Sequence, residues 1–574
     1  MDRLLFAPRA LPPLRPDVAE DPSAYDAWIR RVEALPSPPP APQRPLGLVM
    51  LVDGEPLPPV VASFQSLQRQ SSSGWSLLIV VDRNWQASVT SMLAVSGVRR
   101  SSQRTRVITI ESPEPLAAMF DRAVAELPES DIGLIFPGDR WAPSAVSRLA
   151  GTLQPGAVVY GDEDLVGPDD AHTAPRLKPQ FSPEFLLHSW YTGRPVALSA
   201  GVISRLPPAT AGTPHFEHDL MLRAAGVAEA IVHVPAVLCH RSAPTDDLTS
   251  LSTNADHVIA ALAREETPGS VTPGAFRHTY RIARAVSGSP TVSAIIPFRD
   301  QPQFLRSCVE SVDATCDGID LEYLLVDNGS TQPETATLLD RLAVRPDVHI
   351  TRDDRPFNWA ALNNQAAGAA KGELLLFLNN DVEAIRSGWL GALAGQAMRA
   401  NVAAVGARLL YPDRRLQHCG VVVGLGGAAG HLFVGLEEHL PGYLGMAALT
   451  RECAAVTGAC LMTRREVFDE LGGFDETLGV DLNDVDYCLR AQRVGLRVIY
   501  EASAELIHHE SPSRGTAGDV RDIVAFLDRW SESLISGDPF LNPALSRLDS
   551  SCALRDPGES EWWRQWRANL TRPE

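Results

Sequence analysis

The stretch GELLLFLNNDVEA, Gly372–Ala384, decides how this chain is read. Five apolar residues, Leu374 to Leu378, run without a polar break into Asn379-Asn380-Asp381. An unbroken apolar run of this length is the mark of a strand buried on both faces, as in a parallel sheet between helices. Core packing gives no reason for two amides and a carboxylate at its tip. In an open α/β sheet, ligands gather beyond the carboxyl ends of the strands, and a polar tip there has a use. A helix N-cap is the competing reading, because VEAIRSGWLGALAGQAM follows. It would employ one side chain of the three.

Two more runs end the same way. AIIPFRD closes on Pro297, Arg299 and Asp300, and LLVDNGS closes on Asp327. The DNGS tetrapeptide is also good turn chemistry, so the order of the tips weighs more than any one of them. Downstream, LNDVDYCLR opens an amphipathic helix with Asp484 and Asp486 near its start, and AELIHHESPSRG carries His508 and His509 after a strand. The acids of LNDVDYCLR read either as helix capping or as a site in which Asp484 is a general base.

The pattern occurs twice. LGLVMLVDG, WSLLIVVDRN and DIGLIFPGDR in the front half run in the order of the three strands above. Val81-Asp82 returns as Val326-Asp327, Asp139 as Asp381, Glu217 as Asp484 and His240 as His508, at spacings of 242 to 268 residues. Such a period predicts a duplicated domain. The expected organisation is a Pro-rich leader over 1–45, a front α/β domain over 46–285, a back α/β domain over 290–520 and a tail over 521–574.

Composition fits this. The 574 residues are 45% hydrophobic and 21% charged, with a formal net charge of −19. That charge argues against nucleic acid as a partner, because such binding rests on neutralising phosphates. The eight cysteines include no CxxC pair and read as buried thiols of a reducing compartment. No apolar segment is long enough for a signal peptide or a membrane span. The expected location is therefore the cytoplasm, with peripheral contact at the inner face of a membrane left open. Trp562, Trp563 and Trp566 in the tail leave two readings, docking onto the back domain or touching a membrane. GVVVGLGGAAG invites a dinucleotide-binding reading, but no amphipathic helix follows and the segment lies late in its domain.

With AIIPFRD, LLVDNGS, FNWAALNNQAAGAAKGELLLFLNNDVEA, LGGFDE, LNDVDYCLR and HHESPSRG in this order, the back half resembles the family 2 glycosyltransferases of GT-A fold. The likeness is to their tandem-domain, rhamnosyltransferase-like branch in O-antigen and polysaccharide biosynthesis. The resemblance implies two tandem Rossmann-like α/β domains with mostly parallel central sheets. It implies an inverting transferase that moves a sugar from a UDP- or dTDP-sugar, dTDP-rhamnose among them, to a saccharide or lipid-linked acceptor.

By the same resemblance, Pro297, Arg299, Asp300, Asp327, Asn364 and Asn380 belong to the nucleotide-sugar pocket. Asn379, Asp381 and His508 would hold Mg or Mn, with asparagine at the first DxD position. Asp484 is the catalytic base, and Asp475 and Asp486 lie on the acceptor side. The Gly-rich segment is expected near the acceptor. In the front half Asp82, Asp139, Glu217 and His240 are eroded counterparts, and a substrate-binding or scaffolding role is expected there. The acids of VVYGDEDLV, Asp162, Glu163 and Asp164, are expected in an exposed turn, with metal binding as the alternative. A bifunctional enzyme with both copies active, and a non-catalytic saccharide-binding scaffold, are the alternatives.

Overall fold

The computed structural model describes residues 22–33, 44–54, 58–95, 104–111, 114–242, 254–265, 269–276, 278–316, 318–510, 519–556 and 559. The chain divides into two compact units, Val18–Ile282 in front and Ala283–Glu574 behind.

In the back unit the apolar runs become strands. Val292–Phe298 is buried at every position, and so is Leu374–Leu378. Along the sheet the order is Val348–Arg352, Leu321–Asp327, Val292–Phe298, Leu374–Leu378, Cys460–Arg464, Val402–Leu410, Arg497–His508, Val382–Ala384. The first four are mutually parallel. Cys460–Arg464 runs against both of its neighbours, Val402–Leu410 and Arg497–His508 are parallel to each other, and Val382–Ala384 is antiparallel to the latter. Most strands on this path therefore point one way, and their carboxyl ends share a rim.

The front unit repeats the order strand for strand: Thr105–Ile110, Trp75–Asp82, Leu46–Val52, Asp131–Ile135, Val196–Leu198, Ala157–Val166, Ala230–Arg241, Asp139–Trp141. Its register repeats as well. Arg140 faces His240 where the back unit sets Val382 against His508. Helix Pro22–Glu33 belongs to this unit and buries Tyr25 and Ile29.

One competing reading falls and one expectation needs correcting. No helix begins at Asn379-Asn380-Asp381: the next three residues are strand Val382–Ala384, and the helix Trp389–Ala397 starts later, after Gly388. Pairing with the end of Arg497–His508 takes up Val382–Ala384 before any helix can form. The GDED acids are not in an exposed turn either. Asp162, Glu163 and Asp164 lie on strand Ala157–Val166 and are each fully buried. Burial is tolerated because every one has partners: Lys178 N and His233 for Asp162, Arg194 N for Glu163, and His172, His240 and the Tyr25 hydroxyl for Asp164. Among the described residues, no helix is long and apolar enough to cross a membrane.

Leu376 sits at the middle of the deciding strand with no exposure. Leu376→Ala is expected to cost about 2–5 kcal/mol in the denaturant transition of the back unit. An unmoved midpoint would contradict this packing.

Candidate functional site

The site is assembled by one strand pairing. Val382 lies opposite His508, and the His509 amide donates to the Asp381 carbonyl at 3.0 Å. This register lays the end of the last long strand beside the Asn379–Asp381 tip. His508 Nε2 comes to 3.2 Å from Asp381 Oδ1 and 3.3 Å from Asn379 Nδ2. On its other side, His508 Nδ1 donates to Gln417 Oε1 at 2.7 Å. That bond holds the ring so that Nε2 faces Asp381, the way a metal-ligating histidine is oriented by a partner on its other nitrogen. The imidazole and the carboxylate thus stand side by side at the strand tip. The carboxylate and the imidazole are donor types that a divalent ion of the Mg/Mn class accepts, whereas Asn379 turns its Nδ2 toward His508 and its Oδ1 toward Trp359.

Asp484 belongs to the same rim. The Asn379 amide donates to Ala459 O at 3.0 Å, and the adjoining Gly458 amide donates to Asp484 Oδ2 at 2.7 Å. Trp359 closes the circle: its indole N–H points at Asn379 Oδ1, 3.4 Å away, and its ring lies against Gly458. A Cβ on Gly458 would stand 2.7 Å from that ring, so only glycine lets Trp359 and Asp484 approach this closely. Helix Asn483–Arg493 begins after Leu482, which is in the left-handed region and makes no side-chain cap. Asp484 is therefore not spent as an N-cap. Burial raises its pKa above the ordinary aspartate value, against the two backbone N–H bonds from Gly458 and Val485.

The other predicted residues fall as follows. Pro297 is buried at the end of the central strand, paired with Val326, and Arg299 is exposed just beyond it. Asp327 is buried; its carboxylate accepts from the Ser330 amide at 2.8 Å and from Arg352 Nη1 at 2.9 Å. Asp300 accepts from the amides of Thr331 and Gln332, tying the first two strand tips together. Asn380 is half-buried in the turn between Asn379 and Asp381.

Asn364 clamps the loop after LGGF. Its amide donates to Phe474 O and Glu476 Oε1, and its carbonyl accepts from Phe474 N. Asn364 and Asp475 line an open cavity of about 510 Å³ together with Glu476, Arg490 and Arg529. Asp475 pairs there with Arg529. Asp486 is fully buried, and its oxygens accept from Trp530, Arg529 and Arg490, which fastens helix Val520–Ser536 to the Asp484 helix. The Gly-rich segment is covered by the chain after that helix: Gly426 N donates to Arg547 O and Phe433 N to Ser550 O. Ser513 and the rest of SPSRG, like Trp562, Trp563 and Trp566, lie outside the described residues.

Sequence reading missed Gln417, Trp359 and Gly458. Gln417 sits on a short side strand, Leu416–His418, and nothing in its surroundings marks it. FNWAALNN does hold a signal, since Asn358 caps the helix at Ala361 N and so sets Trp359 at its first turn.

Residues 293–472, within the back unit, match the family described as Glycosyl transferase family 2. The chain is 36% identical, over 85% of its length, to the O-antigen biosynthesis protein RfbC of Myxococcus xanthus, of which it spans 39%. Over 10% of its length it is 40% identical to a Mycobacterium tuberculosis N-acetylglucosaminyl-diphospho-decaprenol L-rhamnosyltransferase, covering 20% of that protein. The chain thus spans well under two thirds of these curated relatives. A Pyrobaculum calidifontis mannosyltransferase solved with GDP-Man and Mn2+ aligns with 47% of this chain and 69% of its own at 16% identity, with a TM-score of 0.32.

Gln417 offers a direct check on the histidine geometry. Gln417→Leu removes the acceptor that fixes His508 and is expected to weaken Mn2+ binding about 10–100-fold, read by equilibrium titration. Unchanged affinity would mean that His508 is not oriented this way.

Proposed function

We propose that the chain is an inverting, metal-dependent glycosyltransferase whose back unit moves a sugar from a nucleotide-diphosphate donor to a saccharide or lipid-linked acceptor in cell-surface polysaccharide synthesis. The observation that carries this reading is the convergence of Asp381, Asn379, His508 and Asp484 on one rim. Asn379, Asp381 and His508 would hold Mg or Mn, which supplies charge neutralisation for a departing diphosphate. The base-and-ribose end of the donor is assigned to the rim of Pro297, Arg299, Asp300 and Asp327. With Arg352 on Asp327, a base that engages this carboxylate has to share or displace the guanidinium.

Asp484 takes the proton of the acceptor hydroxyl. Two backbone N–H groups hold its carboxylate in place, and burial makes it a stronger base than an exposed aspartate. Trp359 and Gly458 set the distance between this base and the Asn379 side of the rim. Attack on the face opposite the leaving group inverts the anomeric centre. Rhamnose as the sugar is favoured by the resemblance of the back unit to rhamnosyltransferase-like enzymes and by the matched segment of the mycobacterial relative. The cavity beside Asn364, Asp475 and Glu476 is assigned to the acceptor side.

Transfer from a panel of radiolabelled nucleotide sugars tests the reading, with chelation expected to stop it and Mg or Mn to restore it. Asp484→Asn is expected to lower kcat by roughly 100- to 10,000-fold while leaving nucleotide binding unchanged. Because the pKa of Asp484 is raised and the base must be ionised to act, the acid limb of kcat/KM should lie above the ~3.9 of an ordinary aspartate. Full activity in Asp484→Asn removes the assignment.

A further inference from the structure

The front unit carries the same strand order and the same register, yet its polar rim is wired differently. Asp139, in the place of Asp381, is 2% exposed. One of its oxygens accepts from Phe136 N at 3.0 Å and the other from Arg194 Nη1 at 3.0 Å. Glu217, in the place of Asp484, is gripped by the same guanidinium in a bidentate pair, Nε at 2.7 Å and Nη2 at 2.6 Å. The Arg194 head group also lies over the Phe136 ring, 3.9 Å from its centre.

The backbone of Arg194 is held just as firmly. Its N–H donates to buried Glu163, and its carbonyl accepts from the ammonium of Lys178, which is fully buried. His240, in the place of His508, is turned to other partners than Asp139. Its Nδ1 pairs with Asp164 at 2.6 Å and its Nε2 with Glu33 of helix Pro22–Glu33 at 2.9 Å. Asp164, His172 and His240 come close enough together to hold a metal ion, but both ring nitrogens of His240 face carboxylates, which favours the imidazolium over a metal ligand. The cavity lined by Phe136, Trp190, Gly193, Arg194 and Glu217 has about 10 Å³, room for about one water.

We propose that Arg194 is a built-in cation standing where the back unit would hold a metal ion, so that the Asp139–Glu217 rim of the front copy binds neither a divalent ion nor a nucleotide diphosphate. A guanidinium suits this position because it is always charged, planar and able to engage two carboxylates at once. It neutralises the two acids that the duplication left at this rim, and the bidentate pair removes Glu217 as a base. The acids of GDED and Lys178 then serve to fix Arg194 and to seat helix Pro22–Glu33 over His240. The proposal rests on the back-unit reading only for the correspondence of positions; the contacts of Arg194 stand without it.

The test counts binding sites on the full chain, with Mn2+ followed by electron paramagnetic resonance and UDP or dTDP by calorimetry. Wild type is expected to bind one Mn2+ and one nucleotide, and Asp381→Ala to bind none. A full equivalent of either ligand on Asp381→Ala, including nucleotide bound in the presence of chelator, overturns the proposal. The latter result would make the front copy a metal-independent donor site. In the Asp381→Ala background, Arg194→Ala is expected to gain a Mn2+ site between Asp139 and Glu217, whereas Arg194→Lys stays free of the ion. No gain in a folded Arg194→Ala protein removes the stand-in role. If Arg194→Ala does not fold, the counts on Asp381→Ala decide. Wild type that binds no Mn2+ would sink the back-unit reading instead, leaving the front copy as described.

Discussion

The antiparallel pairing of Val382–Ala384 with the last residues of Arg497–His508 is the constraint on which the site depends. Without it the Asn379–Asp381 tip would be a polar strand end like any other. With it, a histidine more than a hundred residues away in sequence lies 3.2 Å from Asp381. The register matters as much as the pairing. A slip of one residue would turn His508 to the opposite face of the sheet and bring His509 in its place. His509 instead reaches Glu383, away from the Asp381 carboxylate.

Around that pairing, the site is built by groups that set geometry. Gln417 holds one nitrogen of His508 so that the other faces the rim. Gly458 has no side chain, which lets Trp359 lie between Asn379 and Asp484. Asp486 spends its bonds fastening helix Val520–Ser536 to the helix that carries Asp484. These contacts are what a rigid polar rim requires, since each partly buried donor or acceptor needs a partner.

Much of this was legible in the sequence because apolar runs with polar ends are a one-dimensional signal. The strands ending at Asp300, Asp327 and Asp381 could be read from the order of residues alone, and the repeat followed from their succession. The acids of GDED look exposed in the sequence because charge suggests exposure, whereas here buried histidines, a backbone amide and a tyrosine hydroxyl satisfy them. Gln417 and Arg194 left no trace, since their roles come from contacts that cross the sheet. An arginine in YTGRPVAL looks like any surface arginine until the fold sets it between Asp139 and Glu217.

The two units show how one strand order accommodates opposite electrostatics. In the back unit a carboxylate and an imidazole nitrogen face each other at 3.2 Å. In the front unit the corresponding acids already have a cation in Arg194. The most direct test of the first half of this contrast is anomalous diffraction from crystals grown with Mn2+ and a nucleotide diphosphate. The account predicts one strong peak about 2.0–2.6 Å from an Asp381 oxygen and from His508 Nε2. A peak bound by neither residue, or none at all with the nucleotide in place, would contradict it.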